Sequence, residues 1–296
     1  VVDQGNADGN QHGADAGDGP PDLLHEVRQA VLWITLNRPS VGNALTAAQR
    51  DRIIELLDAA SADRDVRAVV LGANGSHFCT GADLRPAPGA PAATGSAAGR
   101  SAGAPTSSAV VGDTARLIRR GAQRLIAAVL DCDKPVVAAV PGTAAGLGAH
   151  LAFACDLVVA AQGARFIEVF VRRGIAPDAG GAYLLTRLVG PQRAKQLIML
   201  GDDLDAQTAW QWGLVTQVVP AEELPAAVAA LAERLASGPT PALAAAKWLV
   251  NRALDVDRRT AFDDEALAQE LVVASHDAGE GLRAFAERRP PRFEGR

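Results

Sequence analysis

Two stretches of this sequence place small residues directly after an apolar, strand-like run. Val66–Leu71 leads towards Ser76-His77-Phe78-Cys79-Thr80-Gly81-Ala82-Asp83-Leu84, and Pro135–Val140 leads into Pro141-Gly142-Thr143-Ala144-Ala145-Gly146-Leu147-Gly148. Glycine in such turns lets backbone N–H groups approach a ligand closely. Two such turns can aim a pair of donors at one oxygen, which is what an enolate or a tetrahedral oxyanion needs. His150 follows Leu147 by one helical turn, so both can face one pocket. An imidazole near its ordinary pKa of about 6.5 can give or take a proton, and the alternative is a satisfied, partly buried histidine. Asp178, in Pro177-Asp178-Ala179-Gly180-Gly181, offers a second acid–base group. Its alternative is to cap a helix beginning near Gly180, which would lower its pKa and make it a poor base.

The elements that must position these groups read as alternating strand and helix. Val31–Leu36 is a predicted strand, and Thr46 with Gln49 is a capping box for a helix whose buried face carries Ile53, Leu56, Leu57 and Ala60. Val66–Leu71 has the unbroken apolar character of a parallel strand buried on both faces. Asp113 is a candidate cap for a helix carrying Leu117, Ile118, Leu125, Ile126 and Val129. Val136–Val140 and Leu157–Ala161 continue a βα alternation. From Gly180 the pattern turns helical, with a strand-like run at Leu214–Val219 and a helix bracketed by Asp205 and Gly213. The expected organisation is a disordered extension over 1–21, an α/β core over 22–212 and a mainly helical region over 213–296. An Ala-, Pro-, Gly- and Ser-rich mobile insertion is expected at 86–112.

The chain has 296 residues, of which 48% are apolar and 21% charged, enough to bury a large core. A formal net charge of −5 and 4% aromatic residues give no reason to expect nucleic acid or a membrane surface as partner. No run approaches the roughly 18 apolar residues of a membrane span, and residues 1–21 lack the basic and apolar regions of a signal peptide. Cys79, Cys132 and Cys155 lack metal-ligand spacing and read as reduced thiols of a cytoplasmic enzyme, with no metal expected.

Read in order, several short motifs resemble the enoyl-CoA hydratase/isomerase (crotonase) superfamily. They are Ile34-Thr35-Leu36-Asn37-Arg38-Pro39 with Asn43-Ala44-Leu45, Gly81-Ala82-Asp83-Leu84, and Gly146-Leu147-Gly148. Ala154-Cys155-Asp156-Leu157, Pro177–Gly181, Trp212-Gly213-Leu214-Val215 and the tail Gly281–Arg289 follow. The resemblance implies a spiral of repeated ββα units and a C-terminal helical region that builds a homotrimer or hexamer. It implies an acyl-CoA thioester as substrate, with coenzyme A part of that substrate and no separate cofactor. By resemblance the oxyanion donors are the N–H groups of Ala82 and Leu147. Ala44, Ala82, Asp83, Leu84, Arg85, Leu147 and Phe170 line the coenzyme and substrate, and Arg85 and the Arg288-Arg289 tail are candidates for phosphate. Trp210, Trp212, Trp248 and Phe285 read as core or subunit contacts rather than ligand stackers.

The departures from that pattern are informative. The two glutamates that hydratases of the family use stand at positions held here by His150 and Phe170, and Glu168 lies two residues before the second. The combination of Phe170 with Asp178 is similar to the ring-1,2-epoxyphenylacetyl-CoA isomerase branch. One carboxylate suffices for an isomerase, since it can remove a proton at one carbon and return it at another. Double-bond isomerisation is therefore the preferred reaction. Hydration by His150 and Asp178, thioester hydrolysis, and a non-catalytic acyl-CoA-binding protein are the alternatives.

Overall fold

The computed structural model describes residues 21–85 and 112–296. The extension 1–21 and the insertion 86–112 lie outside the described residues, except for Pro21 and Gly112. β1 (Leu23–Arg28) and β2 (Val31–Leu36) form an antiparallel hairpin turned by Gln29 and Ala30. Thr46 then caps α1 (Ala47–Ala62): its Oγ1 accepts from the Gln49 N–H at 3.2 Å, and Gln49 Oε1 accepts from the Thr46 N–H at 3.1 Å. That is the reciprocal box read from the two residue types. There follow β3 (Ala68–Ala73), β4 (His77–Cys79), α2 (Asp113–Arg120), α3 (Ala122–Leu130), β5 (Val136–Val140), β6 (Thr143–Ala145) and α4 (Leu147–Ala154). Next come β7 (Leu157–Ala161), β8 (Arg165–Ile167), α5 (Gly181–Leu200), β9 (Asp203–Asp205), α6 (Ala206–Gln211) and β10 (Gln217–Val219). Four helices close the chain: α7 (Leu224–Ala236), α8 (Thr240–Ala253), α9 (Arg258–Val273) and α10 (His276–Glu287).

Two sheets organise these elements. The larger has the order β1-β2-β3-β5-β7-β10 and is parallel except for β1, while the smaller has the order β4-β6-β8-β9 with β9 antiparallel. The chain repeatedly runs from a strand of the large sheet to a short strand of the small one and then to a helix, as in β5-β6-α4 and β7-β8-α5. This is the expected ββα repeat. Side chains alternate across the large sheet. Val69, Leu71, Val136 and Val158 point into the core shared with the small sheet, α1, α3 and α4, whereas Val70, Val137 and Val159 pack under Leu224 and Val228 of α7. Both faces are thus covered, which accounts for the valine-rich strands. Each such side chain contributes roughly 1.5–3 kcal/mol of burial.

Several expectations shift in detail. The strand read at Val66–Leu71 runs over Ala68–Ala73, and only Gln217–Val219 of the Leu214–Val219 run is strand. Asp113 does not cap α2. It is the first helical residue after Gly112, which offers no side chain, and it pairs instead with Arg116 at 2.8 Å. The single apolar face from Leu117 to Val129 is divided between α2 and α3 by Gly121, whose φ and ψ of −104° and −100° are not helical. The sheet also continues past residue 213, because β10 pairs with β7 and α7 covers the sheet. Trp210 and Trp248 are half exposed and Phe285 is 86% exposed, so these three are not core residues, whereas Trp212 packs against the core. Lys247 ties α8 to the sheet layers through the carbonyl oxygens of Val129 and Lys134 and the Asp156 carboxylate at 2.9 Å. The three cysteines are free and buried, and no helix among the described residues is long and apolar enough to cross a membrane.

Candidate active site

The first small-residue turn leaves β4 and runs alongside Leu45. The Leu45 N–H donates to the Gly81 carbonyl at 2.8 Å, and the Asp83 N–H donates to the Leu45 carbonyl at 2.9 Å. In a parallel bridge of this kind the residue between the two points its polar groups the other way. The Ala82 N–H is therefore turned away from Leu45. The second turn ends at Leu147, the first residue of α4, whose N–H has no acceptor within its own helix. The helix dipole adds partial positive charge at the same place. Gly148 allows the two turns to meet: a Cβ there would lie 2.0 Å from the Cys79 carbonyl oxygen at the end of β4. Ala82 and Leu147 consequently line one cavity of ≈ 480 Å³, together with Leu45, Leu84 and Leu117.

The mouth of that cavity carries an ion cluster. Asp83 receives the Arg85 side chain through Nε at 2.9 Å and Nη2 at 2.7 Å, and Arg38 Nη1 at 2.9 Å. Its side chain is 8% exposed, and the Arg85 guanidinium first, then Arg38, holds its carboxyl far below the usual range. Arg38 also donates to the Ala44 carbonyl at 2.9 Å, which fixes the backbone opposite Ala82. Arg85 is folded onto Asp83, and Arg289 is held by Glu280 and Glu287. Arg85 and Arg289, two of the three arginines read as phosphate candidates, thus have carboxylate partners within the chain.

Asp178 lies half-buried before α5, and its carbonyl accepts from Gln123 of α3 at 3.2 Å. Ala122, adjacent to Gln123, lines the cavity. The capping alternative does not describe Asp178, because Gly180 is the N-cap of α5 and no side chain caps that helix. Burial pushes the Asp178 carboxyl above the usual aspartate range, and the charge of His150 opposes this.

His150, expected to share the pocket with Leu147, is instead fully buried. Its Nε2 lies 2.9 Å from Glu168 Oε2, and its ring stacks on Phe170 with centroids 5.2 Å apart and planes 12° from parallel. Phe170 is thereby buried against the imidazole. A Cβ on Gly181 would lie 2.0 Å from His150 Nε2, so the start of α5 leaves a slot for the ring. Glu168, just past the end of β8, and Phe170, two residues on in the turn that follows, both reach His150. That spacing was the only signal in the sequence for Glu168, and nothing in it named His150 as the partner.

The family model described as enoyl-CoA hydratase/isomerase matches residues 26–296. A protein named probable enoyl-CoA hydratase from Rhodobacter capsulatus is 37% identical over 274 residues, covering 93% of this chain and 98% of that protein. The 1,2-epoxyphenylacetyl-CoA isomerase of Escherichia coli (strain K12) is 35% identical over 274 residues, with 93% and 98% covered. The crystal structure of an enoyl-CoA hydratase from Bacillus anthracis superposes with a TM-score of 0.81 at 30% identity, covering 93% of this chain and all of that one.

Proposed function

The chain belongs to the enoyl-CoA hydratase/isomerase family, and from that premise we propose that it moves a double bond within an acyl-CoA thioester, with Asp178 carrying the proton. The observation that supports this reading most is the unequal state of three carboxylates. Asp83 is neutralised by two arginines, Glu168 is sealed in the interior with His150, and Asp178 is half-buried with its proton affinity raised. A raised affinity suits a group that must both take and give a proton. Asp178 removes a proton from the carbon next to the thioester, and the electron pair moves onto the carbonyl oxygen, where the N–H groups of Ala82 and Leu147 stabilise the enolate. Return of the proton to the far end of the conjugated system completes the shift. Water addition needs a second group to activate the water, and neither Asp83 nor Glu168 suits that role.

Ala44, Ala82, Asp83, Leu84 and Arg85 form the path for the coenzyme, and Arg85 reaches a phosphate by exchanging the Asp83 carboxylate for it. Leu147 and Phe170 shape the acyl end. The assembly is a homotrimer or a pair of trimers, a reading supported by the exposed Phe262, Leu267, Leu271 and Phe285 of α9 and α10. Sedimentation giving only monomer at micromolar concentration would contradict the assembly. The reaction is tested by offering 3-enoyl-CoA and 2-enoyl-CoA thioesters to the purified protein. Isomerisation of the former should be the faster reaction, and faster water addition to the latter would make the protein a hydratase.

A further inference from the structure

The cavity that holds the two donors is not apolar throughout. Leucines 45, 117 and 147 line it, and so does Arg50 of α1. The Arg50 N–H donates to the carbonyl of the Thr46 cap at 3.0 Å, so its side chain leaves α1 one turn on, about 6 Å along the axis. That side chain is 24% exposed. Its guanidinium rests against the break between α2 and α3, where a Cβ on Gly121 would lie 2.6 Å from Nη1. Nε and Nη2 meet one oxygen of Asp51, the exposed neighbour in sequence, at 2.8 Å and 2.7 Å. Nη1 has no acceptor among the described residues.

We propose that Arg50 selects acyl groups carrying a carboxylate at the end remote from the thioester, so that the substrate is the coenzyme A thioester of a short dicarboxylic acid. This deepens the isomerase reading and rests on it. A chain of contacts puts Arg50 on the acyl side of the site. Gly121, which it touches, leads directly into Ala122 and Gln123 of α3, and Gln123 holds the Asp178 carbonyl at 3.2 Å. The carbons that exchange the proton lie at Asp178, so the acyl chain runs along this wall, while the coenzyme leaves past Asp83 and Arg85 at the mouth. Leucine walls suit the methylenes of such a chain, and a charged end needs a partner of opposite sign. The two N–H groups of Nη1 supply one, in the planar geometry that carboxylates favour. α2 adds Arg116 and Arg120 to the same wall; Arg116 is paired with Asp113, and Arg120 makes no ion pair among the described residues. The one carboxylate that competes for Arg50 is Asp51, and an exposed pair of this kind contributes little.

Saturated thioesters test this without turnover, so the proposal and the isomerase reading can fail separately. Adipyl-CoA and hexanoyl-CoA share the coenzyme and the chain length and differ in the terminal carboxylate. Titration calorimetry should show the wild type binding adipyl-CoA at least about tenfold more tightly, the lower end of what a hydrogen bond to a charged group contributes. Arg50→Gln should bring the two affinities to within about two-fold of each other. Equal affinities in the wild type overturn the proposal. A preference that persists in Arg50→Gln overturns it too, and if both affinities fall together Arg50 reads a phosphate of the coenzyme. Should that variant fail to fold, Asp51→Asn decides. Removing the competing carboxylate should widen the preference by about two- to threefold, and an unchanged or narrower preference overturns the proposal. Failure to isomerise any 3-enoyl-CoA would sink the reaction assignment instead, and the calorimetric comparison would still decide the role of Arg50.

Discussion

The donor half of the candidate site and its proton-handling half are built from different materials. Ala82 and Leu147 contribute backbone, and their placement follows from the bridge to Leu45, the end of β4 and the first turn of α4. Asp178, His150 and Glu168 contribute side chains from three separate segments, and each has its character set by what it meets across the fold. On this reading the donor half should tolerate a change of side chain but not loss of a backbone N–H. The proton-handling half should not tolerate loss of the Asp178 carboxylate. Steric fit governs the first, and the local balance of burial and charge governs the second.

The largest effect should come from breaking the meeting of the two turns. Gly148→Val would push side-chain atoms into the Cys79 carbonyl. The expected outcome is a loss of about 3 kcal/mol or more of stability, together with activity, read by denaturant unfolding and turnover. A stable, active variant would show that α4 need not pack so closely. Ala82→Pro removes one donor and should lower turnover by about 10²–10³-fold, whereas Ala82→Ser, which keeps the N–H, should cost far less. Equal damage from both would mean that pocket shape governs this position.

The smallest effect concerns stability on the proton-handling side. The folded protein raises the proton affinity of Asp178, so it holds that proton more tightly than the unfolded chain does. The contribution is full below the ordinary carboxyl range of about 4 and is lost as pH rises through the raised value. Asp178→Asn should therefore melt at the same temperature as wild type or slightly higher near neutral pH, with the gain gone at about pH 3. A marked drop in melting temperature would make Asp178 a structural residue.

Much of the fold that frames the donor half was legible in the sequence. Small residues after apolar runs, the Thr46 and Gln49 box and the valine-rich strands are local signals, and local sterics decide their outcome. The proton-handling half was legible only as residue types. Spacing placed His150 on the face of Leu147, yet the ring is buried, because Glu168 offers an acceptor and Gly181 leaves it room. Both partners come from beyond β7, and no local pattern records such a pairing. Asp113 misled for a similar reason: a good capping residue was present, but the helix begins at that residue rather than after it. The exposed Phe285 shows that an apolar residue at helical spacing marks a face without saying what covers it.

The account stands on Asp178 as the group that carries the proton, and turnover of a 3-enoyl-CoA thioester by Asp178→Asn tests this most directly. The substitution keeps the shape of the side chain and the backbone carbonyl that Gln123 binds, and it removes the base. Isomerisation should fall by at least about 10²-fold, with the melting temperature held. Undiminished isomerisation would contradict the account.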